Sequence, residues 1–374
     1  MTLPAYHFIT TADAWEQCLH ALKQETRLAI DLEANSMFAY REQVCLIQIS
    51  TATHDYIIDP TEVLDLTGLD EILADQTVEK VFHAAEYDLI LLKREYDWEL
   101  NNLFDTMWAG RILGYKRYGL ASMLEALYEI KLDKRYQKSN WCKRPLDAAQ
   151  LKYAQLDTHY LLQLRDDLGK QLEAANCCDE AKETFRQQTR VKIADQTFDP
   201  NSFWSIHGAR DLTRRQQAVL KELHIYRDKA ARSRNQPLFK IFGDRTLLET
   251  ARRMPQNEDQ LQTIYGMSPR QIRRHGRRLI RAVKTGKNAS YPTYPKRGKR
   301  HPEDVMNRYE KLHNWRKKQA QKRGVESDVI LSRQALWAIA KANPQNVDEL
   351  GNIEIIGEWR CRTYGDAILK LIGS

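Results

Sequence analysis

Residues 28–33 read Leu-Ala-Ile-Asp-Leu-Glu, an alternation of apolar and acidic side chains that is typical of a β-strand. Because successive side chains of a strand point to opposite faces, Ile30 and Leu32 share one face while Asp31 and Glu33 share the other. The pattern predicts a strand that presents two carboxylates on one side. Taken alone, such a pair is more often a strand edge that faces solvent.

The elements around this strand predict an α/β domain over the first ~170 residues. Beyond about residue 205 the β signal fades and helical periodicity takes over, so we expect a domain boundary near residues 175–205. The β-rich runs are Leu28–Ala34, Cys45–Thr51, Tyr56–Asp59 and Lys80–Ala84, and the helical stretches lie at about 85–95, 105–114, 119–130 and 147–175.

The helical half contains an internal repeat. Shifting the sequence by 89 residues aligns 226–261 with 315–350 without a gap, and 12 of the 36 positions are identical. Farther along, Gly276 matches Gly365 at the same offset. We therefore predict two copies of one helical domain, with a linker at 286–302 that is rich in glycine, proline and basic residues.

Length and composition exclude several classes of protein. The 374 residues can form two or three buried cores. With a mean hydropathy of -0.63, the sequence contains no apolar run near the roughly 18 residues of a membrane span. The first residues lack the basic and apolar regions of a secretory signal, so we expect a soluble protein in the cytoplasm. The cysteines lack metal-ligand spacing, and we expect them all to be reduced thiols.

Charge divides the chain into two halves. Residues 1–200 hold 22 lysines and arginines against 33 aspartates and glutamates, whereas residues 201–374 hold 36 against 17. The formal net charge of +8 therefore combines an acidic half with a strongly basic one. A basic helical region favours binding to a polyanion such as nucleic acid, although a solvated basic surface is an alternative.

A second acidic position follows the predicted strand Lys80–Ala84. Asp88 lies three and four residues before Leu91 and Leu92 in the next helix, so it lies on or beside the apolar face. A helix N-terminus also favours an acidic residue for electrostatic reasons, and that explanation stays open.

The third acidic position lies in the last helix of the α/β region. There Tyr153, Asp157, Leu161, Leu164 and Leu168 recur at helical spacing, which places the tyrosine and the aspartate one turn apart on the inward stripe. Burying an ionised carboxylate is costly unless a cation or several donors meet it. An inward aspartate at this position therefore requires a partner.

We expect Asp31, Glu33, Asp88 and Asp157 to form one cluster at the edge of the sheet. Four such carboxylates repel and raise each other's pKa values unless divalent cations lie among them. Ligands that are all oxygen suit Mg²⁺ or Mn²⁺. Two such ions about 3.5–4 Å apart stabilise the attacking and leaving oxygens in phosphodiester cleavage. The sequence thus predicts two divalent metal ions.

Three short motifs follow one another along the chain: Asp31-x-Glu33, His83-x-x-x-x-Asp88-Leu89 and Tyr153-x-x-x-Asp157. Their order resembles the three exonuclease motifs of the DEDD superfamily, in its tyrosine-bearing branch. Other segments are similar to the ribonuclease D family. The helical repeats resemble helicase-and-RNase-D C-terminal (HRDC) domains, with an aromatic-Arg pair, a proline before the third helix and a late glycine. The similar segments outside the motifs are 103–106, 118–123 and 141–146.

The resemblance implies a ribonuclease H-like α/β exonuclease domain followed by two all-α HRDC-like domains. The exonuclease domain is expected at residues 1–175, a connecting segment at 176–205, the first HRDC-like domain at 206–286, a basic linker at 287–303 and the second HRDC-like domain at 304–374.

The resemblance also assigns roles to the five predicted catalytic residues. Asp31, Glu33 and Asp157 would hold one metal ion, and Asp31, with Asp88 through water, would serve the other. Tyr153 would position the attacking water or help to deprotonate it. Because the pKa of a free tyrosine is about 10, it is a poor base at neutral pH, and metal-lowered water acidity must supply most of the activation.

Two further features have ordinary structural explanations. His83 is more typical of a core histidine at a strand end than of a catalytic group. Trp141, Arg144 and Pro145 are equally typical of the edge of an active site and of a packing corner.

The activity implied by the resemblance is a metal-dependent 3′-to-5′ exoribonuclease that releases 5′-mononucleotides. The implied substrates are tRNA precursors and other structured RNA 3′ ends. We expect no association with a membrane and no obligate protein partner. A DNA 3′-5′ exonuclease of the Werner or proofreading type, and a catalytically inactive RNA-binding adaptor, are alternatives. The lack of helicase or polymerase segments favours RNA, and the complete set of acids and tyrosine disfavours an inactive adaptor.

RNA binding is expected mainly in the first repeat. Neutralisation of a phosphate backbone by basic side chains is largely independent of base sequence. The stretch Tyr291–Arg297 interleaves rings and charges, a pattern able to stack on unpaired bases, although several of the basic residues could simply be solvated. The candidate RNA-binding residues are Arg252, Arg253, Arg270, Arg273, Arg274, Arg277, Arg278, Lys296 and Arg297.

Overall fold

A six-stranded mixed sheet forms the centre of the α/β region in the computed structural model of the chain, which describes residues 3–63, 65–193, 195–295 and 301–373. The sequence predicted β2 to β5 within a few residues and missed the short β1 and β6. The strands are β1 (Tyr6–Ile9), β2 (Arg27–Ala34), β3 (Val44–Ser50), β4 (Asp55–Ile58), β5 (Glu79–Phe82) and β6 (Leu103–Asp105).

Strand β2 lies in the interior of the sheet, whose order is β1-β4-β3-β2-β5-β6. It pairs antiparallel with β3 and parallel with β5. Ile30 and Leu32 are buried, and on the other face Asp31 lies opposite Gln48 of β3. The predicted alternation is therefore confirmed, and β2 is not a solvent-facing edge because it is paired on both sides.

Eight helices pack around the sheet among the described residues. The predicted helix at 147–175 is in fact two helices, because the backbone at Tyr160 has φ −97° and ψ 0° and interrupts the first helix. The apolar spacing stays in phase across this break, so periodicity alone could not detect it. The helices are α1 (Ala12–Leu22), α2 (Leu69–Ala74), α3 (Glu86–Tyr96), α4 (Thr106–Ile112), α5 (Leu120–Tyr128), α6 (Ala148–His159), α7 (Leu161–Ala174) and α8 (Cys178–Gln188).

The remaining described helices form the two predicted repeats. Three helices of the first repeat, α10 to α12, are offset from α15 to α17 of the second by 89 residues at both ends. The first repeat has α9 (Arg214–Arg232), α10 (Leu238–Ile241), α11 (Asp244–Arg253), α12 (Glu258–Gln262) and α13 (Pro269–Asn288); the second has α14 (Glu303–Arg323), α15 (Ser327–Ile330), α16 (Arg333–Ala342), α17 (Val347–Gly351) and α18 (Glu358–Gly373).

An equivalent arginine stabilises each repeat. Nη1 of Arg227 donates to the carbonyl of Phe242 at 3.1 Å, and Nη1 of Arg316 donates to the carbonyl of Leu331 at 2.9 Å. Donor and acceptor positions are both related by the offset of 89 residues. The prediction of two copies of one helical domain is confirmed.

The described chain separates into two compact units. The first unit contains residues 3–34 and 44–193 together with the second repeat, residues 301–373. Helix α8, which lies in the segment expected only to connect two domains, belongs to this unit.

The second unit contains residues 35–43 and the described residues from 195 to 295, including the first repeat. Its core includes Phe203, Leu220, Leu247 and Leu279. Helix α13 continues to Asn288, so the beginning of the predicted linker is helical.

Within the first unit, ion pairs join α8 to the second repeat. The guanidinium of Arg360 donates to Glu183 at 2.8 Å, and that of Arg323 donates to both oxygens of Glu180, at 2.8 and 2.7 Å. Both glutamates are almost fully buried. Removing one partner of a buried pair leaves an uncompensated charge and typically costs about 3–5 kcal/mol. The second repeat therefore supplies the charges that compensate both buried glutamates of α8.

The last helix of each repeat begins differently. In the first repeat, Ser268 caps α13 by accepting from the backbone N–H of Gln271. The equivalent position before α18 is Gly357, and Glu183 of α8 accepts from the backbone N–H of Trp359 at 2.6 Å instead. The start of α18 in the second repeat is therefore capped by Glu183 of α8, a side chain from outside the repeat.

One expectation about the cysteines is wrong. Cys45 and Cys142 form a disulfide across 97 residues of sequence. The fold brings β3 and the segment before α6 together at this point, which scattered cysteine spacing could not show. The other four cysteines, Cys18, Cys177, Cys178 and Cys361, carry free thiols.

None of the helices in the described ranges has the length and apolarity needed to cross a bilayer.

The close approach of Gly357 to Glu183 yields a stability prediction. A Cβ at position 357 would lie 1.9 Å from Cδ of Glu183, so Gly357→Ala must displace the carboxylate that contacts α18 and Arg360. We expect a loss of about 2–4 kcal/mol, seen as a fall of several degrees in Tm by calorimetry. Gly119→Ala is the matched control, because a Cβ there meets nothing within 4 Å. Equal Tm values for the two variants would contradict the assigned role of Glu183.

Candidate active site

Three of the predicted acids converge beside the sheet. Asp31 and Glu33 project from β2, and Asp157 projects from α6. Carboxylate oxygens of these three residues lie within 4.8 Å of one another. Within the described part of the chain, they are the one group of such residues close enough to share a metal ion.

Helix α6, which carries Asp157, is held against the sheet by a buried polar network. Asp55, at the start of β4, accepts from Nε2 of Gln155 at 2.7 Å and lies 2.8 Å from Nδ1 of His159. Ser50 of β3 donates to Asp55 at 2.6 Å and lies 2.7 Å from the hydroxyl of Thr158. Together these contacts fix the rotation of α6 that points Asp157 toward β2.

Helix α3 carries Asp88 and is positioned by Asp105. Ala84 has a positive φ of 65°, and no side chain of its own segment caps α3. Asp105 accepts from the backbone N–H groups of Ala84 and Ala85 at 3.1 and 2.9 Å, and also from Met107 at the start of α4. One buried carboxylate therefore fixes the starts of both helices.

Asp88 is buried, with 6% of its surface exposed, but its oxygens are outside the group of three. It is close enough for its charge to raise the pKa of Glu33. This placement is consistent with the contact through water that the resemblance implies for Asp88.

All four acids have raised pKa values, for which burial is the largest cause. Burial raises the pKa of Asp31 to about 7, against a lowering by a backbone hydrogen bond. The pKa values of Glu33, Asp88 and Asp157 are raised by burial and then by the charges of neighbouring acids. At neutral pH the fully ionised cluster is therefore disfavoured unless positive charge lies among the acids.

A second observation also fits a cation site. Gln48, directly across from Asp31 on β3, is fully buried, and neither its amide nitrogen nor its amide oxygen has a partner among the described residues. Cross-strand neighbours share a face of the sheet, so this amide lies on the side of the carboxylates. Unsatisfied buried polar atoms beside three carboxylates suit hydrated Mg²⁺ or Mn²⁺.

Tyr153 lies one turn before Asp157 and hydrogen-bonds to it. Its ring centroid lies 5.9 Å from that of Trp141 and 6.2 Å from that of Tyr136. Burial and then the charges of Asp157, Glu33 and Asp31 raise the pKa of Tyr153 well above its usual value. The phenol therefore keeps its proton at neutral pH.

The remaining motif residues have structural partners. Nδ1 of His83 lies 2.9 Å from the hydroxyl of Thr106, and burial lowers the pKa of this histidine to about 4, as for a neutral core histidine. Arg144 donates to Asp59 at 2.5 and 2.6 Å and to the carbonyl of Cys45. These contacts are those of a packing corner, with Trp141 supplying a ring beside Tyr153.

The described candidate RNA-binding residues are all exposed. They lie at the end of α11 and along the polar face of α13, and Lys296 and Arg297 lie outside the described residues. The exposed ones are Arg252, Arg253, Arg270, Arg273, Arg274, Arg277 and Arg278.

Sequence reasoning missed the residues that position the site. Asp105 could have been found as an N-cap, because an aspartate directly precedes a helical stretch there. No pattern in the sequence indicates Gln48 or the Asp55 network, since Gln48 lies opposite Asp31 of another strand and the partners of Asp55 include residues of α6.

Comparison with known families agrees with the geometry. Residues 6–173 match the 3′-5′ exonuclease family, and residues 216–283 and 305–372 each match the HRDC domain. The three acidic motifs described above lie inside the first match, and the two helical repeats contain the others.

The chain is similar to known proteins from both bacteria and eukaryotes. The chain is 33% identical over 257 residues to an exosome complex component 10 homolog of Caenorhabditis elegans, covering 67% of this chain and 29% of that protein. It spans 29% to 40% of the length of the first curated relatives. It is 27% identical over 393 residues to ribonuclease D of Pseudomonas paraeruginosa, covering 100% of this chain and 99% of that protein.

A solved structure shows the same fold over the full length. Escherichia coli RNase D, described as an exoribonuclease involved in structured RNA processing, superimposes with a TM-score of 0.68 at 27% identity, covering 99% of each chain.

The raised pKa values predict how metal and pH affect stability. An acid whose folded pKa exceeds its unfolded value loses its contribution to stability as pH rises, here between about 3.8 and about 7 for Asp31. In chelator we therefore expect the Tm of wild type to fall relative to that of Asp31→Asn across this range. Mn²⁺ at a hundredfold over its Kd should restore about 2.7 kcal/mol at neutral pH.

Asp31→Asn provides the control, measured by the same thermal melts. This variant should melt higher than the wild type in chelator, because one buried negative charge is gone, and should gain little from Mn²⁺. An equal Mn²⁺ shift in both proteins would show that the ion binds elsewhere.

Proposed function

We propose that this chain, which belongs to the 3′-5′ exonuclease family, is a metal-dependent 3′-to-5′ exoribonuclease. It has the ribonuclease D order of one exonuclease domain followed by two HRDC domains. The product would be 5′-mononucleotides. The observation that carries the proposal is the convergence of Asp31, Glu33 and Asp157 within 4.8 Å. The full-length similarity to ribonuclease D supports the choice of RNA over DNA.

The carboxylates have distinct tasks in this mechanism. Divalent ions held here, Mg²⁺ or Mn²⁺, would supply Lewis acidity and lower the pKa of water. Asp31, Glu33 and Asp157 would form one binding site, and Asp31 would serve a second with Asp88 through water. Asp105 keeps Asp88 in place by fixing the start of α3.

The task of Tyr153 follows from its protonation. A phenol whose pKa is raised by burial and by three carboxylates forms phenolate at neutral pH even less than free tyrosine does. Its oxygen can still accept a hydrogen bond from the attacking water while its proton is donated to Asp157. We therefore assign Tyr153 to positioning the nucleophile rather than to removing its proton.

The substrate class is proposed from the relatives and from charge. The E. coli relative is described as processing structured RNA, and we propose tRNA precursors and other structured RNA 3′ ends as substrates here. The exposed arginines of α11 and α13 would bind the phosphate backbone. Lys296 and Arg297 are proposed for the same role from the sequence alone.

The activity is tested with 3′-labelled RNA and DNA of equal sequence, in Mg²⁺, in Mn²⁺ and in chelator. We expect wild type to release mononucleotides from RNA only with metal. Asp31→Asn should lose at least ~10³-fold in kcat, because a central electrostatic group is removed. Tyr153→Phe should lose roughly 10²-fold in kcat with folding nearly unchanged, as for a positioning group. Near wild-type turnover by Asp31→Asn would exclude the cluster as the active site.

The proposed role of α13 predicts a change in salt dependence. Reversing Arg273, Arg274 and Arg277 to glutamate should raise the KM for long RNA. It should also reduce the slope of log K against log salt by roughly 0.7 for each phosphate that is no longer neutralised. Charge reversal at Lys317 and Lys318, which are exposed on the second repeat, is the matched control. Equal salt slopes for the two sets of variants would exclude α13 as the RNA-binding surface.

A further inference from the structure

Two tyrosines and two arginines form a cluster on the surface of the second unit. Tyr291 and Tyr294 are 52% and 48% exposed. Cζ of Arg215 lies 4.5 Å from the ring centroid of Tyr291, and Cζ of Arg214 lies 4.6 Å from that of Tyr294 and 5.7 Å from that of Tyr291. We call Arg214, Arg215, Tyr291 and Tyr294 the tyrosine–arginine cluster.

The cluster is held in place by contacts behind it. Nη1 of Arg215 donates to the carbonyl of Ala289 at 2.7 Å, and Nε2 of Gln217 donates to the hydroxyl of Tyr294 at 3.2 Å. The ring of Trp204 lies 4.9 Å from that of Tyr294, and its Nε1 donates to the carbonyl of Thr293. The rings are therefore fixed before any ligand arrives, although about half of each tyrosine stays accessible.

The arginines occupy an electrostatically unfavourable position. Arg214 and Arg215 are the first two residues of α9, where the helix dipole favours anions and disfavours cations. Nη1 of Arg214 is also buried without a hydrogen-bond partner among the described residues. An anion bound at this point would offset the unfavourable position of the arginines at the helix start, because it would meet two guanidinium groups and the positive end of a helix.

The second repeat lacks this arrangement. At the offset of 89 residues, its equivalents of Arg214 and Arg215 are Glu303 and Asp304. Residues 201–299 hold 23 lysines and arginines against 7 aspartates and glutamates, whereas residues 301–374 hold 12 against 10. The cluster therefore belongs to the first repeat and not to the shared helical framework.

We infer that the tyrosine–arginine cluster binds unpaired nucleotides of RNA. Bases would stack on the exposed rings of Tyr291 and Tyr294, and the adjoining phosphates would pair with Arg214 and Arg215. The identity of the ligand as RNA rests on the proposed function. The cluster adds to the proposed function a requirement for single-stranded RNA, because a base within a duplex cannot stack on a protein ring.

Binding is measured by fluorescence anisotropy on the full chain in chelator, where no hydrolysis competes. The probes are a labelled short oligoadenylate, an abasic oligomer of equal length and a duplex RNA. The combined variant Tyr291→Leu and Tyr294→Leu should bind oligoadenylate roughly tenfold to hundredfold more weakly. Its affinity for the abasic oligomer and for the duplex should match that of wild type, and its salt slope should be unchanged.

Tyr291→Phe with Tyr294→Phe is the matched control, since it keeps both rings and loses only the hydroxyl groups. It should bind oligoadenylate as wild type does. Circular dichroism verifies folding, and Tyr291→Leu alone is used if the combined variant unfolds, with a smaller loss expected.

Three results would overturn the inference. They are unchanged oligoadenylate binding by the leucine variants, an equal loss for the abasic oligomer, and a failure of wild type to prefer oligoadenylate over the abasic oligomer. Failure of the proposed function is seen separately, as absence of RNA hydrolysis by wild type with Mn²⁺ while the binding results stand.

Discussion

Electrostatic repulsion among four neighbouring carboxylates, two of them buried, is the constraint on which the α/β region is built. Asp31, Glu33, Asp88 and Asp157 come from three different elements, and burial disfavours the charged form of each. Holding such groups together in water-poor surroundings requires rigid supports. The polar network that fixes α6 through Asp55 and the backbone contacts that fix α3 through Asp105 are those supports. Without cations, burial and mutual repulsion therefore disfavour the ionised form of the site.

The two helical repeats show how one framework acquires different contacts. Both keep the arginine that donates to a carbonyl across the repeat, Arg227 in the first and Arg316 in the second. The first repeat caps its last helix itself and exposes a basic surface. The second contains Gly357 at the equivalent cap position and pairs with buried glutamates of α8. Duplication therefore supplied one helical domain suited to a polyanion and one that completes the α/β region.

Much of this could be predicted from the sequence, because the decisive signals are local. The alternation at Ile30 to Glu33 defines the face of β2, and helical spacing places Asp157 one turn after Tyr153. The 89-residue offset reveals the repeat without any structure. What could not be predicted depends on distant segments meeting. The break at Tyr160 leaves the periodicity in phase, Gln48 gains its meaning only opposite Asp31, and Cys45 is joined to Cys142 across 97 residues.

The pairing of α8 with the second repeat has a consequence for synthesis on the ribosome. Glu180 and Glu183 are made early, but their partners Arg323 and Arg360 emerge only after the whole first repeat has been translated. At roughly 5–20 residues per second, this delay lasts on the order of ten seconds or more. During that time the nascent α/β region lacks both ion pairs. The order of the segments along the chain thus delays formation of these ion pairs until the second repeat has been translated.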